Sequence, residues 1–261
     1  MIIQVCTFYV MIRYKIPYFE LLVYSFSENQ NMATEKFSNI THILFDMDGL
    51  LLDTERLYTI AQQKILDRFG IQFTWEVKSK MMGRKALDAV NVMLDIYNIR
   101  DKISAEEFLK EREAILDELF PTCELMPGVE RLLLHFHKHN IPMAVATSSH
   151  SRNFKLKTEK CHKQLFDKVF HHVITGDQVT NSKPSPDIFQ VASDGFDGDI
   201  DPNLVLVFED APIGVEAALA ADMNVVLVSE SVETGTIKCN QHLKSMKKFC
   251  PELWGLPPFE S

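Results

Sequence analysis

Residues 43–55 read ILFDMDGLLLDTE, and the prediction of the whole fold begins at this stretch. A short apolar run leads to Asp46 and Asp48, two positions apart, and then to Gly49. Residues two apart in a strand point to the same face, so both carboxylates can reach one ligand beyond the carboxyl end of the strand. Gly49 permits a sharp turn at that point. The alternative is an ordinary strand that ends in an Asp-Gly turn.

The composition is that of an ordinary soluble globular protein, with 46% hydrophobic and 24% charged residues in a chain of 261. The formal net charge of −9 argues against binding to nucleic acid or to an anionic membrane, since both require a basic face. The five cysteines are widely spaced, odd in number and without a CxxC pair, so neither a disulfide framework nor a zinc site is indicated. We expect a monomer in the reducing cytoplasm.

Residues 1–37 are predicted to be an N-terminal extension that is not part of the fold. Polar and charged residues interrupt its apolar runs, which fall short of the roughly 18–20 residues that span a bilayer. The apolar residues precede Arg13 and Lys15, whereas a secretory signal begins with its basic residues. We therefore expect neither a membrane span nor a signal peptide.

Residues 55–125 are predicted to be an all-helical insertion that directly follows the first strand. Three helical patterns occur there, and no convincing strand. Apolar residues recur every four positions before Gly70, which ends the first helix. Leu87, Val90, Leu94 and Tyr97 mark the second helix. The third opens with Ser104 and Glu107 at the spacing of a capping box.

From Met126 onward the pattern alternates between helix and strand, which is typical of βαβ units and a parallel sheet. Short apolar runs predict buried strands at residues 142–147, 173–175, 204–208 and 225–228, of which the last completes the sheet. Asp222 stands after a helix at a turn position where glycine is expected. We therefore predict an α/β core with a Rossmann-like parallel sheet, formed by residues 38–54 and 126–261.

Three later stretches of the sequence place polar groups at the ends of predicted strands or on the adjacent loops. Thr147, Ser148 and Ser149 offer hydroxyls and backbone amides of the kind that holds a phosphate, although a plain helix N-cap is the alternative. Lys183 lies on a loop stiffened by prolines, and its alternative is a solvated surface charge.

Glu209 and Asp210 follow the clearest apolar strand of the chain. Hard carboxylate oxygens of this kind suit Mg²⁺, which binds one or two carboxylates together with a phosphate oxygen. An acidic pair at a helix N-terminus is the alternative. The repulsion between Asp46 and Asp48 equally favours a bound cation or a raised pKa on one of them.

This ordered set, a DxDG stretch, a strand ending in Thr-Ser, a lysine and an acidic pair, resembles the four motifs of the haloacid dehalogenase-like hydrolases. In that family the helical insertion is a small cap domain over the site. Within the family, FDMDG, the segment from Asp53 to Glu55, ATSS at 146–149, KPSPD at 183–187, FEDAP at 208–212 and PELWGLP at 251–257 look like the pseudouridine 5′-phosphatase group.

The resemblance implies a Mg²⁺-dependent phosphatase for a small phosphomonoester, with pseudouridine 5′-phosphate as the expected substrate. A glycerol 3-phosphatase or another sugar phosphatase is the alternative within the family, followed by a β-phosphoglucomutase-like enzyme. A phosphate-binding protein without catalytic activity is the alternative from a different class.

The resemblance also assigns roles to the residues of the four motifs. Asp46 is expected to be the nucleophile. Asp48 is expected to be the general acid and then the base. Mg²⁺ is expected on Asp46, the backbone carbonyl of Asp48, Asp210 and Glu209. Thr147, Ser148, Ser149 and Lys183 are expected to hold the phosphoryl oxygens.

A basic stretch in the insertion is our candidate for reading the substrate. Gly83, Arg84 and Lys85 precede the second predicted helix, where a basic helix start can meet the rest of a phosphate ester. The alternative for Arg84 and Lys85 is full solvation on the surface.

Overall fold

The computed structural model describes residues 39–81 and 86–260, and its centre is a parallel sheet. The strands are β1 (His42–Phe45), β2 (Met143–Thr147), β3 (His172–Thr175), β4 (Val205–Glu209), β5 (Asn224–Val228) and β6 (Gln241–Leu243). They lie side by side in the order β3-β2-β1-β4-β5-β6, and every pair is parallel. The predicted α/β fold with a Rossmann-like parallel sheet is confirmed.

The central strands are buried on both faces, which is why they read as continuous apolar runs. Because side chains alternate along a strand, each strand contributes to two hydrophobic clusters. Ile43 and Phe45 of β1 pack into the cluster on one face, whereas Leu44 packs into the other. In β4, Phe208 packs into the same cluster as Ile43 and Phe45, and Val207 packs into the same cluster as Leu44. The sheet therefore separates two layers of helices.

Helices connect the strands in the way that parallel strands require. Four follow β1, namely α1 (Thr54–Asp67), α2 (Trp75–Met81), α3 (Ala86–Tyr97) and α4 (Ala105–Leu119). Next comes α5 (Val129–Lys138) before β2, and then α6 (Ser151–Thr158) and α7 (Lys163–Val169) before β3. The last two are α8 (Asp187–Asp194) before β4 and α9 (Pro212–Ala220) before β5.

Helices α1–α4 surround a third hydrophobic cluster, which includes Val90, Leu94 and Phe108. The predicted capping box at the start of α4 is present, because the side chains of Ser104 and Glu107 each accept from the other's backbone N–H. The residues that mark the second predicted helix lie in α3, where Val90 and Leu94 are buried and Leu87 is 40% exposed. Helix α2 was not predicted, since a helix of seven residues is too short to give a clear period.

Two antiparallel linkers join helices α1–α4 to the sheet. Leu52 in the outgoing linker forms a bridge with Leu125 in the returning one. On either side of that bridge, the Asp53 N–H donates to the Glu124 carbonyl at 2.9 Å, and the Met126 N–H donates to the Leu51 carbonyl at 2.9 Å. The chain therefore enters and leaves helices α1–α4 through this paired crossing.

The structure departs from the prediction at the far edge of the sheet. Strand β6 extends the sheet beyond β5, which was expected to be last. With only three half-buried residues it offers no apolar run to recognise. Asp222 does occupy a left-handed turn, with φ of 59°.

Two predictions fall outside the described residues, namely the N-terminal extension of residues 1–37 and the substrate-reading stretch of residues 83–85. In the part of the chain that the structure describes, no helix is both long and apolar enough to cross a membrane.

The C-terminal segment closes one face of the core. Trp254 is fully buried, and its indole N–H donates to the Gln241 side chain at 3.2 Å. Its backbone carbonyl accepts from the Ile40 N–H at 3.0 Å, so the segment also fastens the residues that lead into β1. Trp254 thereby joins this segment to the residues just before the first strand.

We predict that Trp254→Ala lowers the free energy of unfolding by about 3–5 kcal/mol, because the large cavity it leaves cannot fully collapse. Urea unfolding measures the change. The matched control is Trp75→Ala, since Trp75 is 61% exposed and its removal is expected to change stability by no more than about 0.5 kcal/mol. Equal losses for the two variants would contradict the packing described here.

Candidate active site

The site lies where the carboxyl ends of β2, β1 and β4 meet, next to one another in the sheet. From β1 the chain goes to β2 and β3 on one side, and later to β4 and β5 on the other. Such a reversal opens a crevice at the strand ends, where open α/β sheets bind ligands. The Asp46 N–H donates to the Phe208 carbonyl at 3.0 Å, so Asp46 is fixed directly beside the end of β4.

A buried lysine connects the strand ends. The Lys183 Nζ lies 2.6 Å from Asp46 Oδ1, 2.6 Å from Glu209 Oε1 and 3.2 Å from the Ala146 carbonyl. Its side chain is 4% exposed, and its ammonium lies 4.7 Å from the centre of the Phe189 ring. The loop that carries Lys183 thus brings one cation to groups from β1, β2 and β4.

Burial and charge act in opposite directions on this cluster. Burial raises the pKa of Asp46 to about 7, although Lys183 lowers it, while Glu209 and Asp48 raise it further by repulsion. Burial also lowers the pKa of Lys183, but attraction to Asp46 and Glu209 outweighs that effect and raises the pKa above its ordinary value. Lys183 therefore stays charged and is the counterion of the cluster.

Glu209 is fully engaged within the protein. Oε1 faces Lys183, and Oε2 accepts from the backbone N–H groups of Asp210 at 3.0 Å and Ala211 at 3.2 Å. The carboxylate lies over Gly214 in the first turn of α9, where an added Cβ would be 1.8 Å from Oε1. Only glycine leaves room there for the Glu209 side chain.

Asp210 faces the turn that follows Asp48. A Cβ on Gly49 would lie 2.4 Å from Asp210 Oδ2, so there is no space for a side chain. The φ of Gly49 is +78°, a backbone conformation that also favours glycine. Burial raises the pKa of Asp210, and repulsion from Asp46 and Glu209 raises it further. Carboxylate oxygens of Asp46, Glu209 and Asp210 lie within 4.8 Å of one another, so these three residues can hold a metal ion.

Asp48 has its own set of partners. Its Oδ2 accepts from the Ser149 hydroxyl at 2.7 Å, and its Oδ1 lies 2.5 Å from the Lys157 Nζ. The side chain is 28% exposed, so it is more open than that of Asp46, at 10%. Sequence reasoning missed Lys157, because one lysine in the last turn of a polar helix carries no signal that separates it from a surface charge.

The predicted phosphate-binding hydroxyls divide into two groups. Thr147 is buried, and its Oγ1 accepts from the Ser149 N–H at 3.1 Å, while Ser148 is exposed at the strand end. The Ser149 hydroxyl donates to Asp48 and accepts from the Lys157 ammonium. Thr147 and Ser148 thus line the end of β2, while Ser149 reaches toward Asp48.

We predict that Lys183→Met destabilises the protein by about 3–5 kcal/mol at about pH 8 in the presence of a chelator, because it leaves buried carboxylates without their counterion. The loss is expected to be smaller at about pH 5.5. Without Lys183 the pKa of Asp46 rises above its present value, so the folded state takes up a proton at the lower pH and the repulsion falls.

Urea unfolding at the two pH values checks this prediction. The matched control is Lys163→Met, whose lysine forms a surface pair with Asp167 and is 59% exposed. A loss for Lys183→Met that is as large at about pH 5.5 as at about pH 8 would contradict the assigned role of the ammonium.

Comparison with known proteins supports the same family. Residues 43–228 match the model of the haloacid dehalogenase-like hydrolases. The chain is 52% identical over 228 residues to (DL)-glycerol-3-phosphatase 1, mitochondrial, of Arabidopsis thaliana, covering 85% of this chain and 76% of that protein. It is 41% identical over 233 residues to a probable pseudouridine-5′-phosphatase of Drosophila melanogaster, covering 87% and 99% of the two chains.

A solved structure extends the likeness to the fold. The crystal structure of a haloacid dehalogenase family hydrolase from Deinococcus radiodurans R1 has a TM-score of 0.71 at 21% identity, and the match covers 85% of this chain and all of that one, at 100%. The family model and the two relatives confirm the resemblance inferred from the four motifs. The family model spans most of the sheet and all the strand ends that form the site. This chain belongs to the haloacid dehalogenase-like hydrolases.

Proposed function

We propose that this protein is a phosphatase that hydrolyses a small phosphomonoester through an aspartyl-phosphate on Asp46. The single observation that carries the proposal is the position of Lys183 between Asp46 and Glu209 at the strand ends. A carboxylate held 2.6 Å from an ammonium can approach a phosphate dianion with part of the repulsion already offset. Asp48, two residues on, faces the more open side of the site.

In the first half of the reaction, an oxygen of Asp46 forms a bond to phosphorus while the bond from phosphorus to the ester oxygen breaks. Asp48 gives its proton to that leaving oxygen, which departs as an alcohol. Thr147, the Ser148 amide and Lys183 hold the phosphoryl oxygens. The proton transfer matters most for an alkyl ester, since an alkoxide is a poor leaving group.

In the second half, a water oxygen attacks the phosphorus of the aspartyl-phosphate and the bond to Asp46 breaks. Asp48 takes a proton from that water, so it recovers the proton that it lost in the first half. The balance is one ester and one water consumed, with one alcohol and one inorganic phosphate released. Both aspartates return to their starting states.

The donor set fits Mg²⁺. Asp46 is buried and Asp210 is partly buried, and desolvation and repulsion from neighbouring carboxylates raise the pKa of each, which is the situation that a bound cation relieves. Glu209 completes the group, although both of its oxygens already accept hydrogen bonds within the protein. When bound, Mg²⁺ supplies positive charge that offsets the repulsion between nucleophile and phosphate.

We further propose that residues 55–125 act as a cap that excludes water from the site during phosphoryl transfer. Their own hydrophobic cluster and the paired crossing through Leu52 and Leu125 support this division. Lys78 of α2 lies 3.0 Å from Glu55, a carboxylate whose repulsion contributes to the raised pKa of Asp210. Helix α2 is thereby tied to the edge of the site.

Two substrates are supported by different observations. The 52% identity to a glycerol-3-phosphatase supports glycerol 3-phosphate. The motifs quoted from the sequence, together with 41% identity to a probable pseudouridine-5′-phosphatase, support pseudouridine 5′-phosphate. Both are phosphomonoesters of a primary alcohol, so the same core chemistry serves either. The higher identity leads us to place glycerol 3-phosphate first.

We predict that Asp46→Asn abolishes turnover, with a loss of at least about 10³-fold, because an amide cannot form the covalent intermediate. EDTA is expected to abolish wild-type turnover, and Mg²⁺ to restore it. Phosphate release is the measurement. The matched control is Asp222→Asn, an exposed turn position with positive φ that asparagine also tolerates.

More than a trace of activity in Asp46→Asn would reject the covalent scheme. Absence of metal-dependent turnover by the wild type on every phosphomonoester tested would favour the alternative, a phosphate-binding protein without catalytic activity.

We predict that glycerol 3-phosphate gives the highest kcat/KM in a panel that also contains pseudouridine 5′-phosphate, uridine 5′-phosphate, glucose phosphates and p-nitrophenyl phosphate. The comparison of kcat/KM values is the appropriate measure, because it reports relative stabilisation of the transition states. A higher value for pseudouridine 5′-phosphate would reverse our order of substrates. It would leave the proposed reaction intact, since both esters use the same core site.

A further inference from the structure

A second buried lysine lies outside the four motifs. Lys157 is in the last turn of α6, and its side chain is 0% exposed. Side chains of a helix point toward its N-terminus, so the Lys157 ammonium extends back toward the loop after β2. There it lies 2.5 Å from Asp48 Oδ1 and 2.8 Å from the Ser149 hydroxyl.

These contacts form a closed triangle around the Asp48 carboxylate. Ser149 donates to Asp48 Oδ2 at 2.7 Å while Lys157 holds Oδ1, and Lys157 also bonds Ser149. Both carboxylate oxygens are therefore held by side chains that are themselves linked. A carboxylate held at both oxygens has its orientation set by its partners.

Lys157 is also packed against the linker that returns from helices α1–α4. Its ammonium lies 4.5 Å from the centre of the Phe120 ring, at the end of α4. Its backbone carbonyl accepts from the Cys123 thiol at 3.2 Å, two residues before Leu125 bridges Leu52. Lys157, which holds Asp48, is thus positioned by contacts with the returning linker.

A gain in stability does not account for this arrangement. Removing an ammonium from water costs several kcal/mol, and replacing a buried ion pair with apolar groups is often neutral or stabilising. Lys157 is completely buried, whereas Asp48 keeps 28% exposure toward the open side of the site. The pair therefore joins a fully buried ammonium to a carboxylate that is still accessible to a ligand.

We propose that Lys157 is a positioning residue that, together with Ser149, orients the Asp48 carboxylate toward the leaving-group oxygen. This inference rests on the proposed function, in which Asp48 exchanges the proton. Lys157 itself forms no bond to the substrate and transfers no proton. Its contribution is to keep Asp48 within reach of the ester oxygen in the first half-reaction and of the water in the second.

The test is a double-mutant cycle between Lys157→Met and Asp48→Asn, measured on the alkyl ester of the panel with the highest kcat/KM. Methionine is close to lysine in length but lacks the ammonium, so it removes both the charge and the hydrogen bonds to Asp48 and Ser149. We expect Lys157→Met to lower kcat/KM by about 10–100-fold, part of the typical contribution of general acid catalysis, with KM changed by less than about 3-fold. The double variant should be no less active than Asp48→Asn alone, because Lys157 acts through Asp48.

The leaving group supplies a second measurement. p-Nitrophenolate leaves with little need for a proton, so Lys157→Met should affect p-nitrophenyl phosphate at least about 3-fold less than the alkyl ester. Ser149→Ala removes one side of the triangle with little risk to folding, and it should show the same preference more weakly. Lys163→Met is the surface control, since its lysine is exposed and pairs with Asp167 in the same helix, and it should match the wild type.

The role of Lys157 would be overturned if the losses in kcat/KM of the two single variants multiply in the double variant. It would also be overturned if Lys157→Met lowers kcat/KM equally for the alkyl ester and for p-nitrophenyl phosphate. Failure of the proposed function gives a different result, namely turnover by Asp46→Asn. If Lys157→Met does not fold, the Ser149→Ala variant decides: an unchanged ratio of alkyl to aryl activity refutes the proposal, and a lowered ratio supports it.

Discussion

The contact of the Lys183 ammonium with Asp46 and Glu209 is the interaction on which the site depends. Three parallel strands end side by side, and two of them are followed by acidic groups. Without a cation those carboxylates would be too costly to ionise in a buried position. The loop before α8 supplies that cation, and the ends of β1 and β4 can then face each other in the folded protein.

The two aspartates of the DxDG stretch differ because their counterions differ. Asp46 is almost buried and shares Lys183 with Glu209, so it belongs to a crowded anionic cluster. Asp48 is more open and is paired with Lys157 and Ser149 on another side of the turn at Gly49. A nucleophile and a proton-exchanging group require such different surroundings. Asp46 and Asp48 have them although they are only two positions apart in the sequence.

Close packing supports this arrangement through two glycines. Gly49 lets Asp210 lie against the turn, and Gly214 lets Glu209 lie against the first turn of α9. At each position a methyl group would occupy space already taken by a carboxylate oxygen. The distances between the acidic groups are therefore set by the absence of a side chain as much as by the side chains themselves.

The sequence by itself determined the α/β class, the main strands and the four motifs, because buried parallel strands have a distinct apolar pattern and the motif residues follow them directly. It did not reveal strand β6, helix α2 or the partnership of Lys157 with Asp48. The first two are too short to show a period, and the third joins residues 109 positions apart on different elements. A lysine in a polar helix has the same sequence pattern whether it is solvated or buried. Only the tertiary structure decided that Lys157 points back into the core, since that depends on how α6 packs against the returning linker.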